Sequence, residues 1–540
     1  MKNWKDQLLS FKSNLRESVS STKEIDAPVK LDFEPPPIWL AAGQSTAKKP
    51  LDRSPIKKLT PPTTARASTT IPLAKPNVLP TPKFKPHIND GCTFSMPEWC
   101  VHGGSLQHPE HQAGRSPPMT VRLGVDFGTA FTKVAIRAGA DLVPVDWSDL
   151  TGDDSEIGRY VVPGVVARSK DGEFCWRLLK TADVHGNLKL PVIESVGVEN
   201  CPVATIAYLA LVIRYARAFL YRDPEIGRRL PERSLRWELN IGCPTEPHDN
   251  PRVVEVLRRL ARTAWLLAAE ARLVEPDILA AWSIADSAVD LETDPGVVPE
   301  FVAQIAGYLR SPQVTGGLHA LIDIGAATLD VATFNVVLSG DRASPPNIPI
   351  FFSAVRPLGT HYLRHNRYLK LGLELAWNDA TPIESPDDFG LRSGKPSSAV
   401  IKVDEDFEGH VVRCILGVID GTRTNSRGDP RSAAWREGLP IFVTGGGANC
   451  SLYRQAIKVA ERQLISKLGG TLDAARNFRF IELNPASGNL RQTKAGGRLT
   501  VALGLTEDAE NIARVVPHRD IKQMKYRTLA RTDHTEIWGD

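Results

Sequence analysis

Apolar and polar positions follow different patterns in the first 120 residues and in the rest of the chain. Over 4–18, large apolar residues recur at intervals of four, three and four, which predicts a short amphipathic helix. These residues are Trp4, Leu8, Phe11 and Leu15. From about 20 to 90 no such period continues, and proline, threonine and lysine dominate. This composition buries too little apolar surface to offset chain entropy, so we expect a disordered, partly polyproline tether.

Two strand pairs with glycine-containing tips stand out in the body of the chain. In 121–139 an apolar strand runs into the tip Asp-Phe-Gly-Thr, and a second strand leaves it. About 200 residues later, in 319–337, the layout recurs around Asp-Ile-Gly-Ala-Ala-Thr-Leu-Asp. A hairpin tip of small residues presents backbone N–H groups and a hydroxyl to an anion lying over it. We therefore expect duplicated halves that close on one phosphate chain from opposite sides.

A third glycine-rich turn follows a buried strand in 439–457. The strand ends in Gly445, Gly446 and Gly447, and a helical pattern starts directly afterwards. Backbone approaches a flat or anionic ligand closely only where side chains are missing, and three glycines provide this.

Proline content and charge separate the same two regions. Of the 41 prolines, 17 fall in residues 1–120, and this segment carries 16 Lys and Arg against 10 Asp and Glu. The net charge of +4 therefore belongs to the N-terminal segment, since the remaining 420 residues carry 50 basic against 52 acidic side chains. Because the body is near neutral, we expect no nucleic-acid partner.

The cysteines and the apolar runs bear on the compartment. Seven scattered cysteines, an odd number, are typical of reduced intracellular thiols. The chain has no run of 18 apolar residues, and its first residues lack the apolar core of a signal peptide. We expect no membrane span and a cytoplasmic protein.

A cluster of cysteines and histidines lies just before the body. Its members are Cys92, Cys100, His102, His108 and His111. Zinc fingers usually pair cysteines two to four residues apart, whereas these two are eight apart. The spacing favours ordinary loop residues, and zinc binding is the alternative.

The order of the three glycine-rich turns resembles the actin, sugar kinase and heat-shock protein 70 ATPase superfamily, which has two phosphate loops followed by an adenosine loop. Within that superfamily, DIGAATLDV is most similar to the heat-shock protein 70 pattern Asp-x-Gly-Gly-Gly-Thr-x-Asp-Val. Further segments resemble this branch, namely VPGVVA (162–167), LNIGCPTEP (239–247), VEPDILAA (274–281), RPLGTHYL (356–363) and TVALGL (500–505). The resemblance covers roughly 121–515.

The resemblance implies an α/β fold of two duplicated ribonuclease-H-like (actin-like ATPase) lobes around a central nucleotide cleft. The expected divisions are 1–120 for the helix and tether, 121–310 for lobe I, 311–515 for lobe II and 516–540 for a C-terminal extension.

The resemblance also implies ATP and Mg²⁺ as ligands and assigns roles to individual residues. Asp126 and Asp323 would flank the metal through its waters, with Asp323 orienting the attacking water, and Glu275 would reach the metal site. A lysine near the γ-phosphate would be Lys180 or Lys189, of which Lys189 is favoured. The remaining expected contacts are Thr129 and Thr328 hydroxyls and Gly128, Gly325 and Ala326 backbone to the phosphates, and Gly445, Gly446 and Gly447 to the adenosine.

Two departures from the family pattern shape the expected function. Ala326 and Ala327 stand where the family has glycines, so slow hydrolysis or binding without turnover is an open outcome. Only 35 residues follow Leu505, too few for the family's substrate-binding domain. We expect a nucleotide-driven, chaperone-like switch that contacts a protein partner through its N-terminal segment. An actin-like filament-forming ATPase and a small-molecule kinase are the alternatives, and the oligomeric state stays open.

Overall fold

The computed structural model describes residues 94, 96–112, 116–176, 183–194, 201–285, 291–338, 344–374, 383–468, 477–483 and 496–522. The predicted helix over 4–18, the tether, Cys92, Lys180 and residues 523–540 lie outside the described residues. The described part is a mixed α/β structure with several sheets.

The first large sheet gathers strands from the first half of the chain. Its order is β3-β2-β1-β8-β9, with β4 beside β2. Strands β1, β2 and β3 run antiparallel in succession, and β8 and β9 continue from β1 in parallel. The bounds are β1 Ser116–Phe127, β2 Phe131–Ala138, β3 Asp141–Pro144, β4 Val162–Pro163, β8 Arg233–Cys243 and β9 Gly296–Pro299.

The second large sheet repeats this arrangement. Its order is β14-β13-β10-β11-β12-β15, with β10, β11 and β12 antiparallel in succession and β13 and β14 continuing from β10 in parallel. Strand β15 adds in parallel at the outer edge of β12. The bounds are β10 Gly317–Ile324, β11 Leu329–Val336, β12 Asn347–Arg356, β13 Pro440–Thr444, β14 Arg479–Phe480 and β15 Arg514–Val516. Leaving β4 and β15 aside, the two sheets share one strand order and one pattern of directions.

A small antiparallel sheet and the helices complete the described structure. The small sheet has the order β6-β5-β7, with β5 Val166–Arg168, β6 Phe174–Cys175 and β7 Asp183–His185. The helices of the first half are α1 Ser148–Thr151, α2 Leu190–Glu194, α3 Val203–Arg222, α4 Thr245–His248, α5 Pro251–Leu267, α6 Glu275–Ile284 and α7 Glu300–Leu309. Those of the second half are α8 Thr360–Lys370, α9 Pro386–Ser393, α10 Ser397–Thr424, α11 Ala434–Glu437, α12 Ser451–Lys467, α13 Gly496–Gly504 and α14 Ala509–Ile512. Short 3₁₀ turns cover Glu98–Gly104, Gly158–Tyr160, Gly227–Arg229 and His518–Asp520.

Helix α3 is 20 residues long and rich in apolar side chains. It is the one described helix long and apolar enough to cross a bilayer, but 78% of its apolar window is buried inside the protein. Such burial is typical of a core helix.

The folded body begins before the expected boundary at residue 120. Strand β1 starts at Ser116, and the turn Glu98–Gly104 packs on α3. A Cβ on Gly103 would lie 1.9 Å from the carbonyl oxygen of Arg214, so this contact needs a glycine. The Trp237 indole N–H donates to the carbonyl of Leu106 at 2.7 Å, which ties the segment to β8. Long-range contacts of this kind hold residues 96–112, whereas their local composition resembles a loop.

The described members of the cysteine–histidine cluster take structural positions. Cys100 is buried in the first-half core, and burial raises the pKa of its thiol to about 12. His108 Nδ1 accepts from the N–H of Glu110, and His111 Nδ1 lies 3.2 Å from the carbonyl of Pro231. Among the residues that the structure describes, no three His, Cys, Asp or Glu side chains form a group that could hold a metal ion.

Two helices cross between the large sheets. Helix α7 packs on the second sheet through Phe301 and Ile305, although 121–310 was expected to be the first lobe. Helix α13 packs on the first sheet, where a Cβ on Gly124 of β1 would lie 2.4 Å from the carbonyl oxygen of Ala502. At the crossing, a Cβ on Gly504 would lie 1.9 Å from the carbonyl oxygen of Ala303. The two backbones therefore touch at Gly504 without an intervening side chain.

We expect Gly504→Ala to lower the free energy of unfolding by roughly 3 kcal/mol, because overpacking against rigid backbone forces the helices apart. The matched control is Gly497→Ala in the same helix, where a new Cβ meets nothing within 4 Å. The control should be neutral or gain up to about 1 kcal/mol of helix stability. Urea unfolding measures both variants, and equal midpoints would contradict this account of the crossing.

Candidate functional site

The first glycine-containing tip joins β1 to β2. Asp126 is the second-last residue of β1 and lies opposite Lys133 of β2 in the antiparallel register, and the two side chains form an ion pair. Asp126 is only 5% exposed, so Lys133 compensates a buried carboxylate. A Cβ on Gly128 would lie 2.3 Å from the carbonyl oxygen of Phe131, so the tip requires glycine there. Thr129 follows within the tip and is half-buried.

The second tip joins β10 to β11 and brings two aspartates together. Asp323 and Asp330 are register partners across this hairpin, and the Gly325 N–H closes the turn onto the carbonyl of Thr328 at 2.9 Å. Ala327 is buried, so its methyl group packs inward, whereas Ala326 is half-buried.

The N-terminus of α8 holds this second tip from outside. Three consecutive N–H groups donate to the tip carbonyls: Gly359 to Ala327 at 3.0 Å, Thr360 to Gly325 at 3.1 Å and His361 to Ala326 at 2.8 Å. A Cβ on Gly359 would lie 2.4 Å from the carbonyl oxygen of Ala326. The carbonyls of the tip thus face α8.

The third glycine-rich turn packs directly on the second tip. Gly445 has φ +85°, a conformation that favours glycine, and a Cβ there would lie 2.2 Å from Asp323 Oδ1. The N–H of Gly447 donates to the carbonyl of Ile324 at 2.9 Å. The structure therefore brings Gly445, Gly446 and Gly447 against the end of β10, as parallel pairing of β10 with β13 requires.

Glu300 is a site residue that the sequence did not single out. It is the first residue of α7, directly after β9, and it forms a buried ion pair with Lys189. A Cβ on Gly242 of β8 would lie 2.9 Å from Glu300 Cγ, so the glutamate lies over a glycine of the first sheet. Burial lowers the pKa of Lys189, but Glu300 and Asp126 raise it by more, so the shift is upward. Lys189, the favoured one of the two candidate lysines, therefore belongs to the acidic cluster.

The negative charges of the two aspartates in the second tip are only partly compensated by their surroundings. Burial and then the Glu300 carboxylate raise the pKa of Asp323 to about 6, while Lys133 opposes the shift. Burial raises the pKa of Asp330 to about 7, although the Thr245 N–H donates to its Oδ2 at 3.2 Å. Oδ1 of each aspartate is buried without a hydrogen-bond partner in the described part of the chain. Four carboxylates and two lysines leave two negative charges when all are ionised.

A second contact joins the end of β8 to the second sheet beside Asp330. Glu246 Oε2, in α4, accepts from the N–H of Val355 at 2.6 Å and from the guanidinium of Arg356 at 2.9 Å. The helix after β8 therefore contacts both β11 and β12 of the second sheet.

Glu275 lies in a different environment from the acidic cluster. It starts α6, and its Oε2 accepts from the Arg168 guanidinium at 2.9 Å, with both side chains more than a third exposed. A surface ion pair of this kind contributes little to stability.

A divalent cation at the cluster would need water and phosphate oxygens as ligands in addition to protein carboxylates. The described His, Cys, Asp and Glu side chains do not by themselves form a metal-binding group. Mg²⁺ usually keeps several waters and takes only one or two carboxylates together with phosphate oxygens. The unpartnered Oδ1 of Asp323 is an oxygen donor suited to such a water-mediated contact.

Comparison with known proteins gives no family: no family model matches the chain, and no curated protein is significantly similar to it. The function is therefore argued from the geometry of the cluster.

We expect Asp330→Asn to stabilise the protein in a pH-dependent way when nucleotide and divalent cations are absent. A carboxyl whose folded pKa is about 7, against 3.8 unfolded, opposes folding progressively as pH rises from about 4 to 7. The gain should be near zero at pH 4 and on the order of 4 kcal/mol at pH 8. The control, Asp171→Asn, changes an exposed turn carboxylate. Urea unfolding across this range measures the gap, and a gap independent of pH would contradict the burial of this charge.

Proposed function

We propose that this chain is a heat-shock protein 70-like ATP-binding protein, a slow Mg²⁺-dependent ATPase that acts as a nucleotide-driven switch or chaperone-like module. The observation that carries the proposal is the meeting of Asp126, Asp323, Glu300 and two lysines at the tips of two equivalent hairpins. Carboxylates with unpartnered buried oxygens beside lysines are the side chains that phosphoryl transfer to water requires.

The fold supports this proposal. Two sheets with the same strand order and directions are what we expect of two ribonuclease-H-like lobes, and we propose that they enclose a nucleotide cleft. In both sheets the glycine-containing tip lies at the end of the first strand, so the two tips are equivalent by position.

The chain's own residues would position water and offset charge in this cleft. Lys133 and Lys189 supply positive charge beside the cluster, and backbone N–H groups at Gly128 and Gly325 together with the Thr129 and Thr328 hydroxyls would donate to phosphate oxygens. Asp323 Oδ1 would accept a hydrogen bond from the attacking water and orient it. Bound Mg²⁺ would neutralise charge on the phosphates.

We further propose that Glu300 takes the metal-site role that the resemblance assigned to Glu275. Glu300 acts electrostatically on Asp323 and Asp330, whereas Glu275 pairs with Arg168 in a half-exposed position. The N-terminal segment, with its excess of positive charge, would serve as the contact with a protein partner in the cytoplasm.

MgATP should raise the melting temperature of the protein, and removal of Mg²⁺ with a chelator should abolish most of the shift. Ligand at about 100 times its Kd stabilises the folded state by ~2.7 kcal/mol. Asp323→Asn should retain the shift but lose turnover by roughly 100-fold, since it removes the group that orients water. Asp171→Asn is the control for both measurements. Unchanged melting of the wild-type protein with MgATP would refute ATP binding.

Glu300→Gln and Glu275→Gln separate the two candidate glutamates. We expect the first to reduce steady-state ATP turnover by at least about 10-fold and the second to leave it within about twofold. Glutamine keeps a hydrogen-bond acceptor for Lys189, and nucleotide-induced melting shifts report whether each variant still folds and binds. The reverse pattern of turnover would return the role to Glu275.

A further inference from the structure

An arginine lies against the third glycine-rich turn, outside the acidic cluster. A Cβ on Gly446 would lie 3.0 Å from Nη1 of Arg498 and 3.5 Å from its Cζ. The guanidinium therefore packs closely against the backbone of the turn at position 446.

Arg498 reaches this turn from a helix that is packed elsewhere. It lies in the first turn of α13, and the next residues of that helix, Leu499, Ala502 and Leu503, pack with Ala135 of the first sheet. The glycine-rich turn itself belongs to the second sheet. Arg498 is thus anchored on one sheet and contacts a backbone turn of the other.

The charge of Arg498 has no counter-ion among the residues that the structure describes. The side chain is half-buried, and burial lowers the pKa of its guanidinium. By contrast, the exposed Arg454, which follows the same turn, donates to the Ala448 carbonyl and the Asn449 side chain. A partly desolvated guanidinium without an acid is costly unless a ligand completes its surroundings.

The position of Arg498 along the glycine-rich turn indicates which part of a bound nucleotide would contact its guanidinium. A Cβ on Gly445 would meet Asp323, at the acidic cluster where phosphates and metal are proposed, whereas a Cβ on the next residue, Gly446, would meet Arg498. The guanidinium therefore lies one residue further along the turn, beyond that cluster. Its planar face suits stacking on an aromatic ring, which lysine does not provide.

We propose that Arg498 stacks on the purine base of the bound nucleotide and determines base affinity at this site. The inference rests on the proposed ATP binding. In this proposal the base contacts two parts of the protein at the third turn. One is the exposed backbone of the glycines, and the other is the Arg498 guanidinium from α13.

The test compares ATP with ribose 5′-triphosphate, which keeps the ribose and phosphates but lacks the base. Arg498→Ala should weaken MgATP binding by roughly 5- to 30-fold and leave ribose 5′-triphosphate within about twofold. Arg498→Lys should lose nearly as much for ATP, because it keeps charge but not the planar group. Arg462→Ala, an exposed arginine on α12, is the control. Equal losses for both ligands would place Arg498 on the phosphates and overturn the proposal, as would an unchanged ATP affinity.

A double-mutant cycle supplies a second, independent readout. Gly446→Ala places a methyl group against Nη1 of Arg498 and should displace the guanidinium. We expect it to weaken ATP binding by a factor similar to that of Arg498→Ala. In an Arg498→Ala background the same substitution should weaken ATP binding less than it does in the wild-type background, because the guanidinium that it displaces is already absent. Additive losses would overturn the proposed contact. Wild-type protein that binds neither ligand would refute the proposed function itself, an outcome distinct from any variant-specific loss.

Discussion

The backbone contact between α7 and α13, at Ala303 and Gly504, is the constraint on which the site depends. Glu300 lies one helical turn before Ala303, and Arg498 lies six residues before Gly504. The positions of the Glu300 and Arg498 side chains thus depend on two helices whose separation is set by Gly504. Glu507, just after α13, reinforces the crossing through ion pairs at 2.5 Å to Arg137 of β2 and to Arg310 at the end of α7. A change in how the two helices cross would move the carboxylate and the guanidinium together.

Charge pairing explains how so many ionisable groups share a buried region. Lys133 pairs with Asp126 across a hairpin, and Lys189, just before α2, pairs with Glu300 at the start of α7. Neither lysine pairs with Asp330, whose carboxylate is contacted instead by the backbone N–H and the side chain of Thr245. The cluster therefore has more negative charge than the described lysines offset, and burial makes that excess costly.

Local pattern was sufficient for some parts of the structure and not for others. The hairpins around Asp126 and Asp323 and the turn after β13 follow from runs of apolar residues bounded by small ones, and the structure confirms these elements. The sequence did not indicate Glu300, because its place in the acidic cluster depends on Gly242 and Lys189, which are 58 and 111 residues away along the chain. The segment 274–281 was singled out by its resemblance to the family pattern, yet the side chain of Glu275 forms a half-exposed ion pair with Arg168. The start of the body was placed too late because the residues before 116 are held by α3 and β8.

The contact between α4 and β12 also affects the outer edge of β12. Strand β15 pairs with only Asn347–Pro349, at one end of β12, and near the other end the N–H of Val355 donates to Glu246 from the first half. An uncovered strand edge is a template on which another chain can add a strand. Withdrawal of α4 would free a backbone donor on this edge. The contact of α4 with β12 therefore also covers part of this strand edge.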